Sequence, residues 1–301
     1  MFCKSCGNEI KQGIKFCTKC GREVSTPQAT PEAPSVSKKP RKFFTKKNLI
    51  IFGSIIAILA IAIWAISYYE KNHESVADTD RKDQEIASSV VNIYCNGKTE
   101  EDGSGGSGTI LTEDGLILTN AHIIPEGAED TVSCIVILPD PTSGSPDEIY
   151  TAYPIVVPDL SEQYDLAFVQ VDDVFYDHEE GKAYGVYPKV FPAYDSNKYC
   201  KNENVKLGEP VRIYGYPAIS GGYALTITDG VVSSLMPDEG LIFTSAKISH
   251  GNSGGLAVDK NGCRIGIPSM VNGDDYESLG IIISNDLIFE FIGELGALYE
   301  N

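Results

Sequence analysis

The chain has 301 residues and a net charge of −18, a length that allows two domains or one of about 200 residues with appendages. The charge is divided: residues 1–48 hold 11 Lys/Arg and 3 Asp/Glu, net +8, and the remainder holds 13 and 39, net −26. The acidic part would repel phosphates, which excludes nucleic acid as its partner, and so sharp a break places the two parts in different surroundings.

The first element, residues 1–24, carries Cys3, Cys6, Cys17 and Cys20 as two CxxC pairs, each followed by glycine. Four thiolates at this spacing predict a tetrahedral Zn²⁺ site. A redox pair would sit in a βαβ context, which the flanking sequence does not offer. All four ligands come from protein, so the metal is expected to be structural, with the module holding itself or a cytoplasmic partner together. The pattern resembles the short zinc ribbons at the N-terminus of many membrane-anchored microbial proteins.

Residues 25–48 form a Pro-rich basic linker, too poor in apolar residues to pack. Residues 49–69, Leu49 to Tyr69, contain no charge. Twenty-one residues at the helical rise span about 31 Å, the thickness of a hydrocarbon core, and predict a transmembrane helix. Trp64, Tyr68 and Tyr69 sit toward its outer end. Lys and Arg precede the helix and acids follow it, so the N-terminus is expected in the cytoplasm and residues 70–301 outside. Residues 70–85 read as a polar stalk.

From residue 86 to 301 the pattern is strand after strand. Segments 89–95, 108–111, 116–119, 131–138, 166–171, 210–214, 224–228, 230–235, 241–245, 255–258 and 264–270 are short, mostly rich in β-branched residues, and bounded by turn formers. They predict an all-β sandwich or barrels. A C-terminal helix follows, with Leu287, Phe291, Leu295 and Leu298 on one face and Ser284 or Asn285 as its cap. Cys95, Cys134, Cys200 and Cys263 allow three disulfide pairings, or none.

A serine hydroxyl needs a base, an orienting group and oxyanion donors before it can attack a carbonyl. Ser253 lies in Gly251-Asn252-Ser253-Gly254-Gly255, where the backbone can turn tightly; such a run is also what a surface turn looks like. His122 ends a strand-like run, although a lone histidine is more often structural. His73 falls in the stalk, His178 in an acidic loop, and His250 beside Ser253. Asp165 opens the apolar run 166–169. The backbone N–H groups of Gly251 and Ser253 are the natural oxyanion donors.

Taken together, these motifs resemble the trypsin-like serine proteases, in particular the HtrA/Deg branch, over residues 86–290. The carriers are the order His122, Asp165, Ser253; the glycine-rich stretch 103–111 leading to 115–122; Asp165-Leu166-Ala167; and the strand-like stretches 207–217 and 226–234. The resemblance implies two six-stranded β-barrels and a catalytic triad acting on polypeptide substrates, with no cofactor for catalysis. It also implies a homotrimer. Ile248 falls where the HtrA branch carries an aliphatic pocket residue, which suggests small or medium apolar residues before the scissile bond; a core strand residue explains it as well. Relatives usually carry PDZ domains after the protease. None is expected here, since 48 residues follow Ser253. The expected protein is a single-pass membrane endopeptidase of extracytoplasmic quality control or processing. The rival is a catalytically silent chaperone or sensor signalling through the ribbon, against which the intact trio argues.

Overall fold

The computed structural model describes residues 2–11, 13–23, 61, 64, 81–97, 102–126, 133–269 and 279–299. The chain divides into two compact units, Met1–Ser67 and Tyr68–Asn301. Apart from Ile61 and Trp64, the apolar segment 49–69 lies outside the described residues, as do the linker and His73. Among the described residues no helix is long and apolar enough to cross a membrane.

In the second unit, the first barrel closes from β1 (Val90–Cys95), β2 (Ser104–Ile110), β3 (Leu116–Thr119), β4 (Cys134–Pro139), β5 (Pro146–Ile155) and β6 (Ala167–Val174). Their spatial order is β1-β2-β3-β6-β5-β4. Val91, Ile93, Ile110, Ile117, Val136 and Val169 belong to its core. A small hairpin, β7 (Tyr176–Asp177) with β8 (Lys182–Ala183), follows in the long acidic connection. The second barrel closes from β9 (Pro210–Gly215), β10 (Thr226–Met236), β11 (Leu241–Thr244), β12 (Leu256–Asp259), β13 (Arg264–Ser269) and β14 (Gly280–Ser284). Its order is β10-β11-β14-β13-β12-β9, around Val211, Ile213, Val232, Ile242, Ala257 and Ile265. The all-β, two-barrel expectation is therefore met.

Several elements differ from their expected form. The two segments 224–228 and 230–235 are one strand, β10. Its first half pairs with β9 and its second with β11, so it turns a corner of the barrel. Gly230 marks that corner: a Cβ there would lie 2.0 Å from the Ala246 nitrogen. β5 and β14 fall where no strand was expected. Residues 81–85, expected to end a stalk, are helical as part of α1 (81–88). That helix is fastened to the second barrel: Asp83 takes Arg212 Nη1 at 2.7 Å and Tyr214 Oη at 2.8 Å, and Ile86 packs against Tyr214 and Val258.

The barrels share an apolar seam. Leu118 and Phe168 of the first meet Ile267 and Ile283 of the second, with Leu160 and Tyr164 of α2 (Pro158–Tyr164) and Ile288 and Phe291 of α3 (Asn285–Tyr299). α3 is the expected C-terminal helix, but its buried face centres on Ile288 and Phe291, while Leu298 is exposed. Asn285 spends its side chain on tertiary bonds instead of a cap. It accepts from Arg264 Nε at 2.9 Å and donates to the carbonyls of Cys200 and Arg264.

The four cysteines of this unit pair as Cys95–Cys134 and Cys200–Cys263. The first joins register partners of β1 and β4. The second ties the connection between the barrels to the start of β13, beside the Tyr199–Arg264 bridge.

Candidate active site

The end of β3 places the histidine. After Thr119 and Asn120 the chain closes a single 3-10 turn, Ala121–Ile123, which carries His122. Asp165 is delivered by the end of α2, in a left-handed backbone conformation, φ 50° and ψ 42°. It is the one non-glycine residue with positive φ among those described, and aspartate is among the few residues that tolerate that region.

The Asp165 carboxylate collects four donors. His122 Nδ1 lies 2.8 and 3.0 Å from its two oxygens. The His122 backbone N–H donates at 3.1 Å, Asn120 Nδ2 at 3.1 Å and Ser269 Oγ at 2.8 Å. Asn120 Nδ2 also reaches the Asp165 carbonyl at 2.8 Å. A carboxylate only accepts, so it fixes the imidazole with its proton on Nδ1 and leaves Nε2 with a lone pair. Nε2 is the atom a general base needs.

Ser253 is buried in a loop held from both barrels. Ser107 of β2 does most of the holding. Its N–H donates to the Ser253 carbonyl at 2.8 Å, and its hydroxyl donates to the Gly251 carbonyl at 2.6 Å. The same hydroxyl accepts the Tyr216 N–H at 2.9 Å, and the Ser107 carbonyl accepts from Thr119 Oγ1 at 2.7 Å. From the second barrel, the Pro268 carbonyl accepts the Gly254 N–H at 3.0 Å. Pro268 precedes Ser269, so one strand end steadies both the Ser253 loop and Asp165.

Within the loop, Asn252 N–H closes onto Ser249 and Gly255 N–H onto Asn252. Gly251 has φ 96°, and a Cβ there would lie 2.2 Å from the Tyr216 carbonyl oxygen. Among the described residues its N–H meets no acceptor, and its carbonyl is occupied by Ser107. Such a donor is free to meet an oxyanion.

In the first unit the four ribbon cysteines come together. Cys3 and Cys17 are buried, Cys6 and Cys20 exposed, and their sulfurs all lie within 4.8 Å of one another. The two CxxC turns are built alike. Cys3 N–H meets the Asn8 carbonyl and Gly7 N–H the Cys3 carbonyl; Cys17 repeats this with Arg22 and Gly21. Cys3 Sγ lies 3.7 Å from Cys20 Sγ, and Cys6 Sγ 3.7 Å from Cys17 Sγ. Zn–S bonds of about 2.3 Å in a tetrahedron separate the sulfurs by about 3.8 Å. The donor set therefore fits Zn²⁺. Backbone N–H groups of Lys19 and Cys20 pull the Cys17 thiol down to about 6. The Asn8 N–H acts the same way on Cys6, but the neighbouring sulfurs, Cys20 foremost, push it up to about 12. Four thiolates this close need a cation between them.

The family model described as a trypsin-like peptidase domain matches residues 106–267, more than half of the chain and a stretch that contains His122, Asp165 and Ser253. The chain belongs to the trypsin-like peptidase family. A zinc-ribbon model matches residues 2–24. Serine protease HTRA1 of Xenopus tropicalis is 29% identical over 209 residues, covering 65% of this chain and 37% of the relative. A probable periplasmic serine endoprotease DegP-like protein of Brucella suis biovar 1 (strain 1330) is 31% identical over 186 residues, covering 58% and 29%. The chain thus spans about a third of the length of these relatives. The crystal structure of the serine endoprotease from Yersinia pestis superposes with a TM-score of 0.52 at 25% identity, over 71% of this chain and 66% of that one.

Within this trypsin-like domain, nothing in the local sequence marks Ser107, Asn120 and Ser269 as site residues. Ser107 lay inside the glycine-rich stretch 103–111 and Asn120 two residues before the histidine, but neither spacing reveals a partner across the barrels. Ile248 is half-buried against the core of the second barrel and faces Gly280, whose Cβ would lie 2.6 Å from Ile248 Cδ1. His178 sits on the exposed β7–β8 turn against the Tyr176 ring. His250 is exposed and gives its carbonyl to the Ala218 N–H at 2.8 Å.

Proposed function

We propose that the chain is a membrane-anchored serine endopeptidase working outside the cytoplasm in protein quality control or processing. The observation that carries this is the Asp165 carboxylate with its four donors, one of them His122 Nδ1 at 2.8 Å. His122 Nε2 takes the Ser253 Oγ proton as that oxygen attacks the peptide carbonyl. The N–H groups of Gly251 and Ser253 receive the oxyanion. His122 then gives the proton to the leaving amine as the C–N bond breaks. Water, deprotonated by the same nitrogen, hydrolyses the acyl-enzyme and returns Ser253. Labelling of the full chain in detergent with a fluorophosphonate tests this. Wild type becomes labelled and Ser253→Ala does not; an unlabelled wild type, or equal labelling of both, would sink the assignment.

The anchor is residues 49–69, oriented by the basic flank before it. The cysteines support that topology: all four in the protease unit are paired, and the four ribbon cysteines form no disulfide. Disulfides persist on the oxidising side of a membrane and thiolate metal sites on the reducing side. The ribbon is a structural Zn²⁺ module for a cytoplasmic partner. By metal analysis the purified full chain is expected to carry one Zn²⁺ and Cys17→Ser less than about a tenth of that, since a closed structural site uses four protein ligands. Full zinc content in Cys17→Ser would remove Cys17 from the ligand set.

A further inference from the structure

A cleft of about 440 Å³ opens beside Gly251, between the two barrels. Its first wall is the outer face of the β1–β4 pair. Tyr94 lies opposite Ile135 and Asn92 opposite Ile137, while Val136 and Ile93 turn inward to the core. Strand β4 is thus apolar on both faces, and the outward pair Ile135 and Ile137 contributes nothing to the barrel's own core. Its second wall is the loop after β9, with Tyr216 and Tyr223.

This loop is fastened at both ends of the cleft. Asn92 Nδ2 donates to the Gly222 carbonyl, and the Ala218 N–H donates to the His250 carbonyl at 2.8 Å. The cleft is therefore shaped before anything binds. Tyr223, which lines the cleft, is 65% exposed, a large side chain left in water. No carboxylate is among the described residues lining the cleft, although the chain beyond residue 48 carries 39 Asp/Glu against 13 Lys/Arg. The volume lies within the range of pockets that enclose small molecules, about 300–1,000 Å³, and admits a large side chain with its flanking backbone.

We propose that this cleft is a substrate subsite that seats a large uncharged side chain, aromatic or branched aliphatic, within two residues of the scissile bond, with Tyr223 and Tyr94 as its specificity determinants. The assignment rests on Ser253 as the nucleophile, because Gly251 is at once a wall of the cleft and an oxyanion donor. A side chain seated here stands one residue's reach from the reacting carbonyl. It is separate from the site of Ile248, which does not line the cleft.

The experiment uses the full chain in detergent. A digest of denatured protein, read by mass spectrometry, gives the residues flanking each cut. One cleaved peptide is then resynthesised with Phe, Ala or Asp at the apolar position. Wild type is expected to prefer Phe over Ala by about tenfold in kcat/KM, the scale of one well-packed aromatic contact, and to reject Asp. Tyr223→Ala brings the Phe:Ala ratio close to one, and Tyr223→Phe keeps it. If every apolar preference survives Tyr223→Ala, the cleft is not the subsite. The same ratio read as Kd on the Ser253→Ala chain, with Gly/Ser peptides carrying a single Phe, Ala or Asp, separates the two assignments. A Tyr223-dependent Phe preference in binding, with no hydrolysis by wild type, keeps the cleft and overturns the nucleophile. Hydrolysis without a Tyr223-dependent preference does the reverse.

Discussion

Asp165→Asn is expected to lower kcat by about 10⁴-fold with KM little changed. The replacement keeps the shape of the side chain and changes one property, from acceptor-only to half donor. Four donors converge on the Asp165 carboxylate: His122 Nδ1, the His122 N–H, Asn120 and Ser269. An amide has one oxygen to share among them. With its oxygen on the His122 N–H and Nδ1 opposite its NH₂, the imidazole must accept at Nδ1 and carry its proton on Nε2. That tautomer cannot take the Ser253 proton. Steady-state kinetics on a peptide cleaved by wild type reads the effect, and near-ultraviolet circular dichroism checks that packing persists. A loss smaller than about tenfold would mean that Asp165 does not set the tautomer, because a wrong tautomer is worth orders of magnitude.

Ser253, His122 and Asp165 stand out in the sequence as candidates because each sits in local text that a strand end or glycine turn imposes. The residues that hold them do not. Ser107 acts on Ser253 and Gly251 from the other barrel, and Ser269 reaches Asp165 over 104 positions of chain; no local pattern records such a pairing. The missed strands have local causes. β5 contains Pro154, and proline normally argues against a strand interior, yet Pro154 pairs in register with Val169. β14 centres on Ile281, Ile282 and Ile283, an unbroken apolar run whose periodicity does not choose between strand and helix. β10 contains Asp229-Gly230, which reads as a turn but is a barrel corner. The disulfides follow the register of β1 with β4 and of residue 199 with β13, and register is a property of the closed barrels, not of cysteine spacing.

The second large effect concerns the oxyanion donors. Gly251→Ala places a methyl group 2.2 Å from the Tyr216 carbonyl oxygen and 3.2 Å from Pro217 Cα and the Ala218 nitrogen. All three are backbone atoms at the end of β9, so no side chain can swing aside. The backbone φ of 96° also disfavours any Cβ. Relief requires the 250–251 peptide to rotate, which turns the Gly251 N–H away from the reacting carbonyl. Removing one oxyanion donor costs about 10²–10³ in kcat, and that is the expected loss; phosphonylation by the fluorophosphonate slows in parallel, since it builds a similar anion. Gly208→Ala separates this from backbone strain alone. Gly208 has φ 79°, and a Cβ there meets nothing within 4 Å, so that variant is expected to lose about 1–2 kcal/mol of stability and to keep kcat within about twofold. If Gly251→Ala behaved like Gly208→Ala, with reduced stability and near-normal turnover, the Gly251 N–H would not be an oxyanion donor, and the positive φ at Gly251 would serve only to close the turn beneath Ser253.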